Sequence, residues 1–431
     1  MNNSIEQSSA APGATVRSNP ERAEENWPPA VVAGAYQTGV NLMRNLLRRG
    51  VNACAFDANP KQTGFSSRYG KTYLCPNPDT HGEEWVSFMH NLARQIGRKP
   101  VLIPAADQFV SAIGAHIGEL KDHFIFLPEA FAIQARLATK EQQYALAEAN
   151  GLPTPRTRFI RSAAELNDFA RTANFPCLIK PLHCREWERM PAGHRLLNQK
   201  LATAETPEEL LARYESVQQY TPELVVQEII QGPDTAKFCY MACFSRTGKK
   251  LGGCLVRQLR TEPAHFGSAT VVEPAVDAEA QSVSDHFLAS VGYQGLCELE
   301  LKRDSRDGRI RLIEINPRYS ITTDSAPHAG VDTGWLHYLD LIGANVRPVE
   351  QNSYDFRHIV LRRDVSSIRT NMREGLLNWS GLIHSYRRPL HFFDFDLRDR
   401  KLSWLTVVEV VKSFLYPYFR RIFPKRGARP A

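Results

Sequence analysis

Hydrophobic and polar positions first settle into a regular pattern at Pro29. Val31-Val32-Ala33-Gly34 has the continuous apolar character of a buried strand, Val40 to Leu47 repeats at helical spacing up to Gly50, and Asn52 to Phe56 gives a second strand closed by Asp57. This predicts a βαβ unit. A helix over Trp85 to Ile96 and a buried strand at Val101-Leu102-Ile103-Pro104 extend it into an open parallel sheet with helices on its faces. Past a helix from Ala138 to Asn150 the texture changes: strands end at Ile160, Lys180 and Ile230, separated by helices near 163–172 and 206–218. Then strand follows strand, over 236–245, 249–259, 294–302 and 309–316. The expected fold class is therefore α/β followed by α+β. The segmentation read from these shifts is a disordered leader over 1–28, a Rossmann-like domain over 29–128, a second domain over 129–345, and an extension over 346–431 with a basic, aromatic amphipathic helix.

Composition narrows the classes. The chain has 431 residues, 43% hydrophobic and 23% charged, an ordinary globular mix. Neither a secretory h-region near the start nor a clean membrane span is found, so a cytoplasmic location is expected. The net charge is +7, but six basic residues and no acid lie between Val410 and Ala431, which leaves about +1 for the rest. That balance argues against nucleic acid as a partner and leaves a basic tail. Trp404 to Leu415 reads as an apolar helix, ended by Pro417 and followed by Tyr418, Phe419, Arg420 and Arg421, a combination suited either to an anionic membrane surface or to packing on the body. The eight cysteines contain no C-x-x-C pair, which suggests reduced thiols and gives no zinc signature.

Two segments imitate nucleotide motifs. Gly34-Ala-Tyr-Gln-Thr-Gly39, with Asp57 further on, lacks the middle glycine that lets a backbone approach a pyrophosphate, which disfavours a nicotinamide or flavin oxidoreductase. In the stretch from Gly64 to Thr72 five residues separate the glycines where a phosphate loop has four, and strand rather than helix follows.

The stretch from Gly295 to Arg318 is the most informative. Two strands flank a turn; if the turn is Arg306, Asp307 and Gly308, with Gly308 left-handed, then residue 305 faces 309 and Glu300 lies opposite Glu314. Alternation puts Asn316 on the face of Glu314, and Glu298 on that of Glu300. Opposed carboxylates repel unless a cation sits between them, and a hard divalent ion such as Mg²⁺ suits this oxygen set. The alternative is that Lys302, Arg309 or Arg311 neutralises them in an exposed ladder.

Glu314, Asn316, Pro317 and Arg318 form a Glu-x-Asn-Pro-Arg pattern that resembles the ATP-grasp superfamily of carboxylate-amine ligases, over roughly residues 30–345. The resemblance implies a pre-ATP-grasp domain followed by an ATP-grasp fold, with ATP and Mg²⁺ (or Mn²⁺) as cofactors. It implies Glu300, Glu314 and Asn316 as metal ligands, with Glu298 a neighbour, and Lys140 and Lys180 as phosphate lysines. In Val225 to Asp234, backbone groups of Gln227 and Ile230 would read adenine, Ile229 would pack on it and Asp234 would take the ribose hydroxyls. Arg318 would stabilise the tetrahedral intermediate, with Arg257 a candidate for the same anion or the substrate carboxylate, its alternative being a salt bridge. Where such proteins carry a Gly/Ser-rich loop, the segment Pro181 to Met190 is bulky and charged; Arg185 or Lys200 could supply positive charge there. The implied activity joins a small-molecule or peptide carboxylate to an amine through an acyl phosphate. A non-catalytic ATP- or ligand-binding module of the same fold is the alternative. Neither the two substrates nor the oligomeric state is encoded legibly.

Overall fold

The computed structural model describes residues 27–182, 186–221 and 223–422, with residue 189 and residues 416–422 described by backbone alone. The expected leader up to residue 26, the loop residue Arg185 and the tail beyond Ile422 lie outside these residues. The first domain comprises β1 (Ala30–Ala33), α1 (Gln37–Arg48), β2 (Ala53–Asp57), β3 (Lys71–Leu74), α2 (Gly82–Ile96), β4 (Val101–Pro104), α3 (Asp107–Ala115) and α4 (Ile117–Leu120). Its four strands are parallel in the order β3-β2-β1-β4. Val31 and Val32 are both fully buried although they point to opposite faces, which is why β1 reads as an unbroken apolar run. The Gly34 to Gly39 turn is explained by packing. A Cβ on Gly39 would come within 1.9 Å of the Gly34 carbonyl oxygen, and the Asp57 carboxylate accepts from the Ala35 amide at 2.8 Å. The lysine of the second imitation, Lys71, lies over the Tyr73 ring.

Helices α5 (Pro128–Ala138) and α6 (Lys140–Ala149) lead into a small lobe of β5 (Thr157–Ile160), α7 (Ala163–Ala170), β6 (Cys177–Pro181), β7 (Ala202–Ala204), α8 (Pro207–Val217) and β8 (Leu224–Glu228). The strands form an antiparallel sheet in the order β5-β8-β6-β7. Ser162 and Glu165 close a capping box at the start of α7. In the bulky segment after β6, Trp187 is fully buried and packs in the lobe core with Phe169, Leu196 and Leu210. Its bulk is therefore an anchor.

The third unit is an eight-stranded sheet. It contains β9 (Lys237–Phe244), β10 (Lys250–Glu262), β11 (Ser268–Pro274), α9 (Ala278–Ser290), β12 (Gly295–Arg303), β13 (Ile310–Asn316), α10 (Thr333–Leu341), β14 (Val349–Glu350), β15 (Arg357–Ile359), α11 (Leu361–Arg373), α12 (Trp379–His384), β16 (Leu390–Phe392) and α13 (Arg400–Ile422). The order is β13-β12-β9-β10-β11-β15-β16, with β14 pairing β10. Cys239, Met241 and Val256 on one face share a core with Val32, Leu42 and Ile103 of the first domain; Phe238, Tyr240, Leu299 and Leu301 pack the other face with Phe287.

Three boundaries are corrected. Residues 349–392 continue the large sheet through β14, β15 and β16, so no separate extension begins at 346. Trp27 packs edge-on against Trp335 at 5.6 Å and the Pro28 carbonyl accepts from Tyr338, so the packed chain begins before residue 29. Helix α13 runs to Ile422 without ending at Pro417. No helix among the described residues is long and apolar enough to cross a membrane.

Candidate active site

The centre of the site is the β12–β13 hairpin. Glu300 lies opposite Glu314 and Glu298 opposite Asn316, the expected pairing, but the route to it differs. The Asp304 amide bonds the Arg309 carbonyl, so the loop holds four residues, 305–308, and Arg303, Lys302 and Leu301 pair with Ile310, Arg311 and Leu312. A bulge at Ile313 then advances the partner strand by one and restores the Glu300–Glu314 register. Gly308 takes the left-handed conformation, φ 74°.

Around this pair the charges are concentrated. Burial, and then the neighbouring Glu298 and Glu314 charges, push the Glu300 carboxyl up to about 8. Burial also raises Glu298, to about 7, against hydrogen bonds from Ser320 and Asn316. Glu314 is the opposite case: burial acts to raise it, but the charges of Lys140, Lys180 and Arg318 outweigh that and hold it below the usual range. Lys140, the first residue of α6, donates directly to Glu314. The cation on Glu314 is therefore Lys140 and none of the ladder residues. Arg311 pairs with Asp304 and Asp307, and Lys302 lies beside Lys237 on the neighbouring strand.

Arg318 is fixed from two sides. Its Nε and Nη2 reach the two Asp107 carboxylate oxygens at 2.6 and 2.8 Å, and Nη2 also donates to Asn316 Oδ1 at 3.0 Å. Asp107 opens α3 immediately after β4, at the carboxyl end of the parallel sheet. No motif marks Asp107 in the sequence; the signal that could have found it is its place at the end of a parallel strand, where open α/β sheets hold ligands. Ser320, the hydroxyl donor to Glu298, is likewise unmarked.

The hinge segment follows β8. Gln227 faces both Thr157 and Leu178, the Glu228 amide donates to the Arg156 carbonyl and the Ile229 amide to the Pro176 carbonyl, each at 3.0 Å. This alternation commits the Gln227 main chain to the ladder, and its Nε2 donates to Thr157 Oγ1 at 2.7 Å. Gln227 is therefore corrected as a backbone reader. Ile230, past the end of the strand, makes no main-chain hydrogen bond among the described residues and keeps its amide available, with Ile229 half-buried beside it. Asp234 pairs with Lys237 at 2.9 Å and accepts from Thr261 Oγ1 and the His265 amide. Burial acts to raise its carboxyl, but Lys237 together with the amide and charge of His265 outweighs it and holds Asp234 below the usual range.

Arg257 is the second correction. It faces Phe238, which faces Leu301, so it projects to the side of the sheet opposite Glu300. There its Nε donates to Glu273 Oε1 at 2.7 Å, and Glu273 also holds Arg357. Lys200 is exposed. Glu300, Glu314, Asn316, Arg318, Lys140 and Lys180 are thus brought together, with Asp234, Ile229 and Ile230 along the adjoining hinge.

The donor set fits a hard divalent cation. Two opposed carboxylates and an amide oxygen line one face, and Glu300 is raised by burial first and then by the charges of Glu298 and Glu314, both of which a cation would offset. Among the described residues no three His, Cys, Asp or Glu side chains form a complete metal cage, so oxygens from a ligand or water would complete the sphere.

No family model matches the chain. It is 28% identical over 227 residues to D-aspartate ligase of Enterococcus faecium, a match that covers 51% of this chain and 53% of that protein, so the chain spans about half the length of this curated relative. A carbamoyl phosphate synthase large chain section of Methanopyrus kandleri is 23% identical over 202 residues, 45% of this chain and 34% of that protein. Among solved structures, N5-carboxyaminoimidazole synthetase of Staphylococcus aureus aligns with a TM-score of 0.58 at 12% identity, over 81% of this chain and 87% of that one. An L-amino acid ligase of Bacillus licheniformis aligns at 0.52 and 14%, over 75% of each chain. A biotin carboxylase domain of Hydrogenobacter thermophilus, solved with MgADP, aligns at 0.57 and 14%, over 77% of this chain and 74% of that one.

Proposed function

The chain has the ATP-grasp fold, and from that premise we propose that it is an ATP-dependent carboxylate-amine ligase whose carboxylate substrate is an amino acid. The observation that carries this reading is the Glu300–Glu314 pair with Asn316, set between Lys140, Lys180 and Arg318. Its nearest chemistry is phosphoryl transfer, in which neutralising charge matters more than covalent participation by the protein. A substrate carboxylate oxygen forms a bond to the γ-phosphorus of ATP as the bond to ADP breaks. The amine nitrogen then bonds the carbonyl carbon, phosphate leaves and the amine gives up a proton.

Glu300, Glu314 and Asn316 would hold Mg²⁺ or Mn²⁺, which when bound neutralises the phosphate oxygens. The chain's own residues do the rest. Lys180 touches the phosphates, and Lys140 exchanges its Glu314 partner for them once Glu314 turns to the cation. The Ile230 amide meets the base edge beside Ile229, and Asp234 accepts from the ribose hydroxyls after releasing Thr261. Arg318 offers Nη1, which in the structure donates to the Tyr319 carbonyl at 3.4 Å, to the anionic carbon centre while Asp107 holds the other edge in place.

The amino-acid assignment is supported by the likeness to D-aspartate ligase. The test is ADP release by the purified chain across L- and D-amino acids, aspartate first, with and without a second amine. Release that needs both an acid and an amine is expected, and is lost in Glu314→Gln. ATP binding with no acid-dependent release would instead favour a non-catalytic binding module. Reduced thiols, seven free cysteines among the described residues, support a cytoplasmic setting.

A further inference from the structure

Helix α13 leaves an apolar stripe in water. Trp404, Val407, Val411 and Phe414 recur at helical spacing and are 66%, 36%, 47% and 55% exposed, while Leu402 and Thr406 on the other side are buried. The buried side rests on α11. Asp394 accepts from the amide of Arg362 at the start of α11 and, through its carbonyl, from Thr406 Oγ1; seven residues further along each helix, Arg369 donates to the Ser413 and Phe414 carbonyls. The two helices therefore run side by side in the same direction.

That direction has a consequence beyond the tail. The chain leaving α11 emerges at the end toward which α13 also runs, with the Leu376 amide on the Asn371 carbonyl, and the short α12 then turns back along α11 until the Tyr386 hydroxyl reaches Asp364; this corner exposes Leu376 (54%), Trp379 (72%) and Ile383 (55%). From Gly375 to His391 there is no acid, while Arg387 and Arg388 are basic. Arg373 beside them is 77% exposed, with Glu374 at 4.0 Å, and Lys412 on α13 is 68% exposed, with Glu409 at 3.0 Å. The chain from Val410 onward adds five further basic residues and no acid. Exposed tryptophans and phenylalanine in a setting where basic residues outnumber acids match the headgroup boundary of an anionic bilayer, where aromatic side chains enter the interface and cations meet lipid phosphates. With Glu374, Glu409 and Asp355 set against Arg373, Lys412 and Arg388, the excess positive charge is that of Arg387 and of the five further basic residues after Lys412, and that net charge is complementary to an anionic bilayer.

We propose that α13 and the α11–α12 corner form a single docking surface for an anionic lipid bilayer. The site reading is not needed for this, since none of these residues touches the β12–β13 hairpin. Docked in this way, the chain lies on the membrane without spanning it.

The test uses the full chain with vesicles of phosphatidylcholine alone or with one third phosphatidylglycerol. Co-sedimentation with the anionic vesicles only is expected, weakening steeply with salt, and brominated lipid should quench tryptophan emission. Trp379→Ser and Phe414→Ser should each weaken binding at least tenfold with ATP turnover unchanged. Lys412→Glu with Arg373→Glu, on exposed positions that cannot disturb the core, should weaken it similarly. Equal recovery with neutral vesicles, or binding without quenching, overturns the surface as a bilayer dock. So does a stable dimer in ultracentrifugation that Trp379→Ser dissociates, because a second copy would then cover the face.

Discussion

Replacing Glu300 by glutamine should make the ligand-free protein more stable while destroying its activity. The carboxyl of Glu300 is pushed from an ordinary 4.5 up to about 8 by burial and by Glu298 and Glu314. A raised carboxylate favours folding least at high pH. Its contribution is intact below 4.5, where folded and unfolded chains are both protonated, and is lost as pH rises towards 8, because only the unfolded chain gives up its proton freely. At pH 7 the gap is two and a half pH units, which at about 1.4 kcal/mol each amounts to ~3 kcal/mol. Glutamine keeps the shape and removes the ionisation. Differential scanning fluorimetry of metal-free protein should therefore show Glu300→Gln melting a few degrees above wild type at pH 8, with the gap closing towards pH 5. Turnover should fall about a thousandfold, since a lost carboxylate at an effective dielectric constant of about 20 forfeits ~4 kcal/mol of attraction to a cation. A variant that melts below wild type at pH 8, or whose gap does not change with pH, would refute the electrostatic account; retained turnover would remove Glu300 from the metal site.

Lys180→Ala should weaken ATP binding in calorimetry by roughly ten- to a hundredfold, the worth of one charge-assisted hydrogen bond of about 1.5–3 kcal/mol, and an unchanged affinity would return Lys180 to a structural role. Asp107→Asn should lower kcat about tenfold and leave the KM for ATP in place, because it frees Arg318 without touching the nucleotide; equal loss in both would mean that the first domain has simply shifted.

Much of the site was legible because strand periodicity is local. The alternation of Glu298 and Glu300, and of Glu314 and Asn316, follows from the side-chain period of two, and the glycine at 308 announces the turn. A three-residue loop without a bulge and the observed four-residue loop with a bulge at Ile313 place Glu300 opposite Glu314 alike. No pattern of apolar residues marks a bulge of that kind.

Other features were decided only when distant elements met. Asp107 and Arg318 stand 211 residues apart, and Lys140 and Glu314 174 apart, so neither pairing leaves a trace in local sequence. The orientation of Arg257 depended on which neighbours flank β10, because alternation says that a side chain changes face but not which face carries the chemistry. Strands β14, β15 and β16, of two to three residues, are too short to show a period, and the chain after residue 345 read as an appendage until their pairing joined it to the sheet. The sequence by itself determined which residues could bear charge, turn or bury; tertiary packing decided which charges face one another, because burial and opposition are properties of the assembled sheets and not of any one strand.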